Sequence, residues 1–253
     1  MHAVIIISGD SDQVEACTQL PYTPAMATLF VVATPIGNLS DMTFRAVETL
    51  KQVQLIVCED TRHSRRLLDH YGISKPLKSG HGHNEQQSAN AVVQTLSRGE
   101  DVAYISDAGT PGISDPGRVI TRAVREAGFP VVPIPGVSAL GAIMSVNGFS
   151  GKAITFEGFL SPKPGKRRKR LAELLEREES FVLYESPHRV LKLLADLSDL
   201  ESVRQVLIGR EVTKVHEEII EGTARELLAI MEEKPSIKGE FVILVGPSKK
   251  GVI

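Results

Sequence analysis

The densest group of chemically useful side chains is the stretch Ser106-Asp107-Ala108-Gly109-Thr110-Pro111-Gly112-Ile113-Ser114-Asp115-Pro116-Gly117. Three glycines let a backbone come close to a ligand, and two aspartates offer charge to a cation or acceptors to ribose hydroxyls. Two prolines in the same twelve residues exceed what a simple connection needs, so the stretch reads as a binding loop. Thr34-Pro35-Ile36-Gly37-Asn38-Leu39-Ser40-Asp41 and Pro133-Ile134-Pro135-Gly136-Val137-Ser138-Ala139 have the same character. In an open α/β sheet, loops of this kind gather at the carboxyl ends of strands, where ligands bind.

Those loops need strands before them and helices after them, and the apolar pattern supplies both. Short β-rich runs at 29–33, 55–58, 102–106 and 131–134 alternate with helical patterns at 42–52, 84–98 and 116–127, as expected for a parallel sheet with crossover helices. A helix after Ser138 runs to about Ser145 and stops at Asn147-Gly148. A second series follows, with strands near 153–157, 181–184, 206–210, 217–221 and 240–245 and helices near 168–177, 187–197 and 224–233. The expected fold class is α/β, with two α/β domains, at 28–149 and 150–247, and a ligand cleft between them. Residues 248–253 read as a tail and 1–27 as an extension, with Met26 as the natural start; if Met1 starts the chain, residues 4–7 read as an added edge strand.

The 253 residues are 42% apolar and 24% charged, close to the average for a folded globular chain. Two cysteines, Cys17 and Cys58, are too few for a disulfide framework or a zinc cluster. No apolar run spans a membrane and no signal peptide is evident, which points to the cytoplasm. No G-x-G-x-x-G follows a strand and no phosphate-binding Walker motif is present, which weighs against NAD and nucleoside triphosphates. No metal-ligand spacing stands out, and His81 with His83 reads as polar surface. A net charge of −2 gives no global pull on nucleic acid, but Lys163, Lys166, Arg167, Arg168, Lys169 and Arg170 crowd one segment. With no nearby acid before Glu173, that run reads as a helix that neutralises RNA phosphates at the mouth of the cleft.

The three loops, together with Cys58-Glu59-Asp60-Thr61-Arg62, His83-Asn84-Glu85, Tyr184-Glu185-Ser186-Pro187-His188-Arg189 and Arg210-Glu211-Val212-Thr213-Lys214, resemble the ribosomal RNA small subunit methyltransferase I family, a branch of the tetrapyrrole methylases. The resemblance runs from about residue 28 to 246. It implies a homodimeric class III methyltransferase whose S-adenosyl-L-methionine sits between the two domains. The implied reaction is 2′-O-methylation of a cytidine in the decoding region of 16S ribosomal RNA in the small ribosomal subunit. Carried over position by position, the resemblance implies cofactor contacts from Pro35, Asp107, Ala108, Gly109, Ile113, Ser138 and Ala139. Tyr184, Glu185, Gly209, Arg210 and Glu211 would close the cofactor from the second domain. The chain departs from many members in lacking a further basic C-terminal segment.

Methyl transfer to a ribose hydroxyl needs in-line alignment at about 3–3.5 Å and profits from a base within hydrogen-bond reach. Glu59, Asp60, Asp107, Glu185 and Glu211 are candidate bases, and each has a neighbour that would instead make it an ion-pair brace: Arg62, Arg189, Arg210 or Lys214. Arg62, Arg189 and Lys214 are in turn candidate phosphate contacts, and His63, His83 and His188 are further candidate bases. Competing readings are a precorrin-type tetrapyrrole methyltransferase, a non-catalytic ribosome assembly factor, and a magnesium phosphohydrolase using Asp107 and Asp115. The 5% aromatic content without tryptophan offers little floor for a macrocycle.

Overall fold

The computed structural model describes residues 26–80, 85–114, 117–149 and 153–248. The expectations for Met1, residues 4–7, His81, His83, Asp115, Pro116 and the tail beyond 248 lie outside the described residues.

The first half is a five-stranded parallel sheet of β1 (Leu29–Val32), β2 (Leu55–Cys58), β3 (Leu77–Ser79), β4 (Val102–Ile105) and β5 (Val131–Ile134), ordered β3-β2-β4-β1-β5. Parallel strands need covered faces, and the alternation of side chains provides two. Ile56 and Cys58 point to one face, with Ala46, Leu50 and Leu68 of α1 (Phe44–Gln52) and α2 (Thr61–His70). Val57 points to the other, with Ala89, Val92, Ile120 and Val124 of α3 (Glu85–Ser97) and α4 (Arg118–Glu126). Because β4, β1 and β5 are neighbours, the three loops that leave them emerge side by side.

The second half is a sheet of β6 (Ile154–Phe159), β7 (Ser180–Glu185), β8 (Gln205–Arg210), β9 (Glu218–Thr223) and β10 (Phe241–Val245), ordered β6-β7-β10-β8-β9. Only β6–β7 is parallel; β10 inserts antiparallel between β7 and β8, and β9 folds back on β8. The sequence pattern gave these strands without a direction. The turn from β8 to β9 carries no crossover helix and so returns the chain antiparallel. Alternate residues of β10 feed two cores: Phe241, Ile243 and Val245 meet α6 (Pro164–Glu176), α7 (Val190–Leu200) and α8 (Ala224–Glu232), while Val242 and Leu244 meet Ile143.

Ile143 belongs to α5 (Ala139–Ser145), which the sequence places in the first domain. Its packing is with the second sheet, so α5 joins the halves instead of finishing the first. The domain junction placed between 149 and 150 adjoins residues outside those described. Neither α2, whose buried face is only Ser64, Leu67 and Leu68, nor the three-residue β3 was expected. α6 also begins four residues earlier than the basic pattern suggested, with Pro164 in its first turn, where a missing N–H costs nothing.

Candidate functional site

The three loops are fastened to one another by hydrogen bonds. Thr34 and Gly109 exchange backbone bonds at 2.9 and 3.0 Å, tying the loop after β1 to the loop after β4. Thr110 Oγ1 donates to the Val137 carbonyl at 3.3 Å, tying in the loop after β5. From the second half, the Tyr184 hydroxyl on β7 accepts the Leu140 N–H at 3.0 Å, and the stem of Lys214 lies over Gly37 so closely that a Cβ there would overlap it. These contacts enclose a cleft of about 400 Å³, within the usual range of about 300–1,000 Å³ for small-molecule sites.

The first half contributes Ile36, Ala108, Gly109, Thr110, Ile113 and Ser138 to its walls. The second contributes Tyr184, Glu185, Gly209, Val212, Lys214 and Val242, with Phe159 at the end of β6. Of the residues singled out for cofactor contact, Ala108, Gly109, Ile113, Ser138, Ala139, Tyr184, Glu185 and Gly209 line the cleft. Four sit behind it. Pro35 is buried beside Ile36. Asp107 Oδ1 accepts the Asp60 N–H at 3.0 Å. Arg210 donates to the Lys238 carbonyl at 2.8 Å and pairs with Glu218 at 3.3 Å. Glu211 supports Lys214 at 2.9 Å.

The candidate bases separate by environment. Asp60 caps α2 through the Arg62 N–H and pairs with the Arg62 guanidinium at 3.0 Å, and these bonds hold its carboxyl near 2 instead of 3.8. Burial alone would raise Glu211, but hydrogen bonds from Lys214 and the Glu240 N–H leave it below its ordinary value. Glu185 is 2% exposed and lines the cleft, with Arg189 Nη2 at 2.6 Å and the Ser186 N–H at 2.7 Å from Oε1. Glu59 is half-buried at the end of β2, where its carbonyl accepts from Ser79 Oγ at 3.3 Å. His63 and His188 are exposed and do not line the cleft. Burial pushes the Cys58 thiol up, which makes it a poor nucleophile. Among the described residues, no group of three or more His, Cys, Asp or Glu side chains is arranged for a metal, and no helix is long and apolar enough to cross a membrane.

The basic run differs most from its reading in the sequence. Arg167 is 4% exposed and pairs with Asp196 at 2.7 Å. Arg168 bridges Asp196 and Asp199, and Arg170 joins Glu157 and Glu173. Acids distant in sequence thus come within reach once α6 and α7 pack, so the premise of an unpaired run fails for its arginines. Lys163, Lys166 and Lys169 remain exposed. Arg62 is exposed, Arg189 braces Glu185, and Lys214 lines the cleft between Glu211 and Glu240. Sequence reasoning missed Ile36, Thr110, Ser114, Phe159, Ser186, Pro187, Val212, Glu240, Phe241 and Val242 as cleft residues. The first three lie inside loops already singled out, whereas Glu240, Phe241 and Val242 read only as strand.

Residues 28–228 match the model of the Tetrapyrrole (Corrin/Porphyrin) Methylases. A protein of Borrelia garinii named "Ribosomal RNA small subunit methyltransferase I" is 48% identical over 87% of this chain and 99% of its own length. The chain belongs to the ribosomal RNA small subunit methyltransferase I family of tetrapyrrole methylases. Proteins of the same name from Xylella fastidiosa and Leptospira biflexa are 46% and 43% identical, over 86% and 92% of this chain and 81% and 96% of theirs. Among solved structures, the methyltransferase CobJ superposes with a TM-score of 0.66 at 20% identity, covering 88% of this chain and 95% of that one. At that identity it speaks for the fold.

S-adenosylmethionine is the cofactor of this methyltransferase family, and the cleft fits it. Ile36, Ile113, Val212 and Val242 line it with apolar surface that would hold an aromatic base, while Ser138, Glu185, Lys214 and Glu240 would offer hydroxyl and charge of both signs to polar groups. Gly209 keeps the floor open: a Cβ there would meet Val212 Cγ2 at 2.8 Å and Val242 Cγ1 at 2.9 Å. When bound, the cofactor supplies an electrophilic methyl on a sulfonium.

Proposed function

We propose that the chain methylates the ribose 2′-hydroxyl of a cytidine in the decoding region of 16S ribosomal RNA, acting on the small ribosomal subunit in the cytoplasm as a homodimer. The observation that carries this reading is 43–48% identity, over most of the chain, to relatives named for small-subunit ribosomal RNA methylation, and the cleft supports it. The halves align the acceptor: loops from β1, β4 and β5 form one wall, and β7, β8 and β10 the other. Glu185 takes the proton from the hydroxyl. Of the five candidate carboxylates it alone lines the cleft, and Arg189 and the Ser186 N–H fix its orientation. Asp107, Ala108, Gly109 and Ser138 set the cofactor wall, directly or by holding the loops, and the phosphates of the RNA meet Arg62 and the exposed lysines of α6.

The test incubates the purified chain with tritiated S-adenosylmethionine and small subunits from a strain lacking the modification, with a precorrin offered in parallel. Label on a ribose of a decoding-region cytidine supports the proposal. Label on the macrocycle supports tetrapyrrole methylation instead, and binding to subunits without label leaves an assembly factor.

A further inference from the structure

We infer that α2 is the element that grips the phosphate backbone of the RNA strand entering the cleft, an inference that rests on the RNA reading above. The arginines of α6, the obvious basic feature of the sequence, are engaged with acids of this chain. On α2 the situation is reversed. Arg65 and Arg66 are exposed and make no ion pair among the described residues, and the Arg62 side chain is 90% exposed beside Asp60. Residues three and four apart share a helix face, so Arg62, Arg65 and Arg66 stand together. Ser64, Leu67 and Leu68 are buried on the side facing the sheet, which sets the arginines toward solvent. The only acid within the helix is Asp69, in its last turn.

Position adds to charge. α2 starts at the carboxyl end of β2, where the Asp60 N–H holds Asp107, next to the cofactor loop. Its far end is fixed to the loop after β1 by the Tyr71 hydroxyl, which donates to the Leu39 carbonyl. The helix therefore lies along two of the loops that form the cleft, on a chain whose net charge of −2 would otherwise give RNA no reason to settle there. Guanidinium groups match phosphate oxygens with paired hydrogen bonds, and clustered arginines concentrate that attraction.

The experiment compares the parent chain with R65E/R66E, R65Q/R66Q and R65K/R66K. It measures affinity for unmodified small subunits across a salt series, with S-adenosylmethionine affinity and thermal stability alongside. Each phosphate contact to a single strand contributes about 0.7 to the log–log salt slope. The expected result is a slope lower by roughly 1–1.5 in R65E/R66E and R65Q/R66Q. Subunit affinity should fall at least about tenfold, R65K/R66K should retain most of the binding, and cofactor affinity should not change. Unchanged subunit affinity and slope in both charge-removing variants would overturn the role of α2 while leaving the RNA reading standing. A parent chain that binds no subunits overturns both.

Discussion

At the scale of single residues, the carboxylate proposed as the base differs in its place from the other candidates. Glu185 has its carboxylate fixed by Arg189 and Ser186 at the cleft wall, whereas Asp60 and Glu211 are tied to caps and ion pairs outside it. A general base contributes about 10²–10⁴-fold. E185Q is therefore expected to lower kcat by at least about a hundredfold while leaving S-adenosylmethionine affinity near the parent's. A variant that loses only thermal stability would make Glu185 a brace for Arg189. Gly209 is the complementary case, because its contribution is the absence of a side chain. A Cβ at this position would lie 2.8 and 2.9 Å from Val212 and Val242, so G209A must displace side chains that line the cleft. Overpacking of this kind costs about 1–3 kcal/mol. Calorimetric titration should show weaker S-adenosylmethionine binding, and a cofactor affinity equal to the parent's would mean that the floor yields elsewhere.

At the scale of elements, α2 hangs on its cap. The Asp60 carboxyl titrates near 2 in the folded chain against an ordinary 3.8, first because of the Arg62 side chain and then the Arg62 N–H. A depressed carboxyl contributes stability above its unfolded value and loses it as pH falls through the folded one. Stability from this group should therefore be complete above about pH 4 and vanish towards pH 2. D60N should be less stable than the parent at neutral pH, and the gap should close over that window, read by unfolding at stepped pH. High salt should narrow the gap as well, since the pair is exposed. The same helix shows what was legible in the sequence. Strands β1, β2, β4 and β5 and helices α1, α3 and α4 declared themselves by period, whereas α2 has only two leucines on its buried face and its Asp60 cap as a signal. β3 is three residues long and gains its identity from pairing with β2. The mixed second sheet was hidden for a different reason: strand direction depends on which strand inserts beside which, and β10 entering between β7 and β8 leaves no mark on its own apolar run.

At the scale of the whole molecule, the loops of the first wall were readable because glycine and proline gather within each of them, while the second wall was only half readable. Glu240, Phe241 and Val242 reach the cleft because β10 is central to its sheet, and Lys214 reaches it by crossing to Gly37 in the other half. The acids that engage α6, Asp196 and Asp199, lie 28 to 31 residues from Arg168 and became partners only through helix packing. A site assembled from both halves ties cofactor affinity to their closure. Ligand at a hundredfold excess over Kd adds about 2.7 kcal/mol to stability. For a chain of this size that corresponds to a rise in Tm of roughly 5–10 °C. The Tyr184 hydroxyl and the Lys214 stem link the walls, and Lys214 Nζ holds Glu211 and Glu240 beneath that stem, so Y184F and K214M should each show a smaller rise at the same cofactor concentration. K214M should show the larger deficit, because it also leaves Glu211 and Glu240 facing each other without their cation. Differential scanning calorimetry with and without S-adenosylmethionine measures both. Rises equal to the parent's in both variants would mean that the cofactor is held by each half separately and that the links across the cleft set only its resting shape.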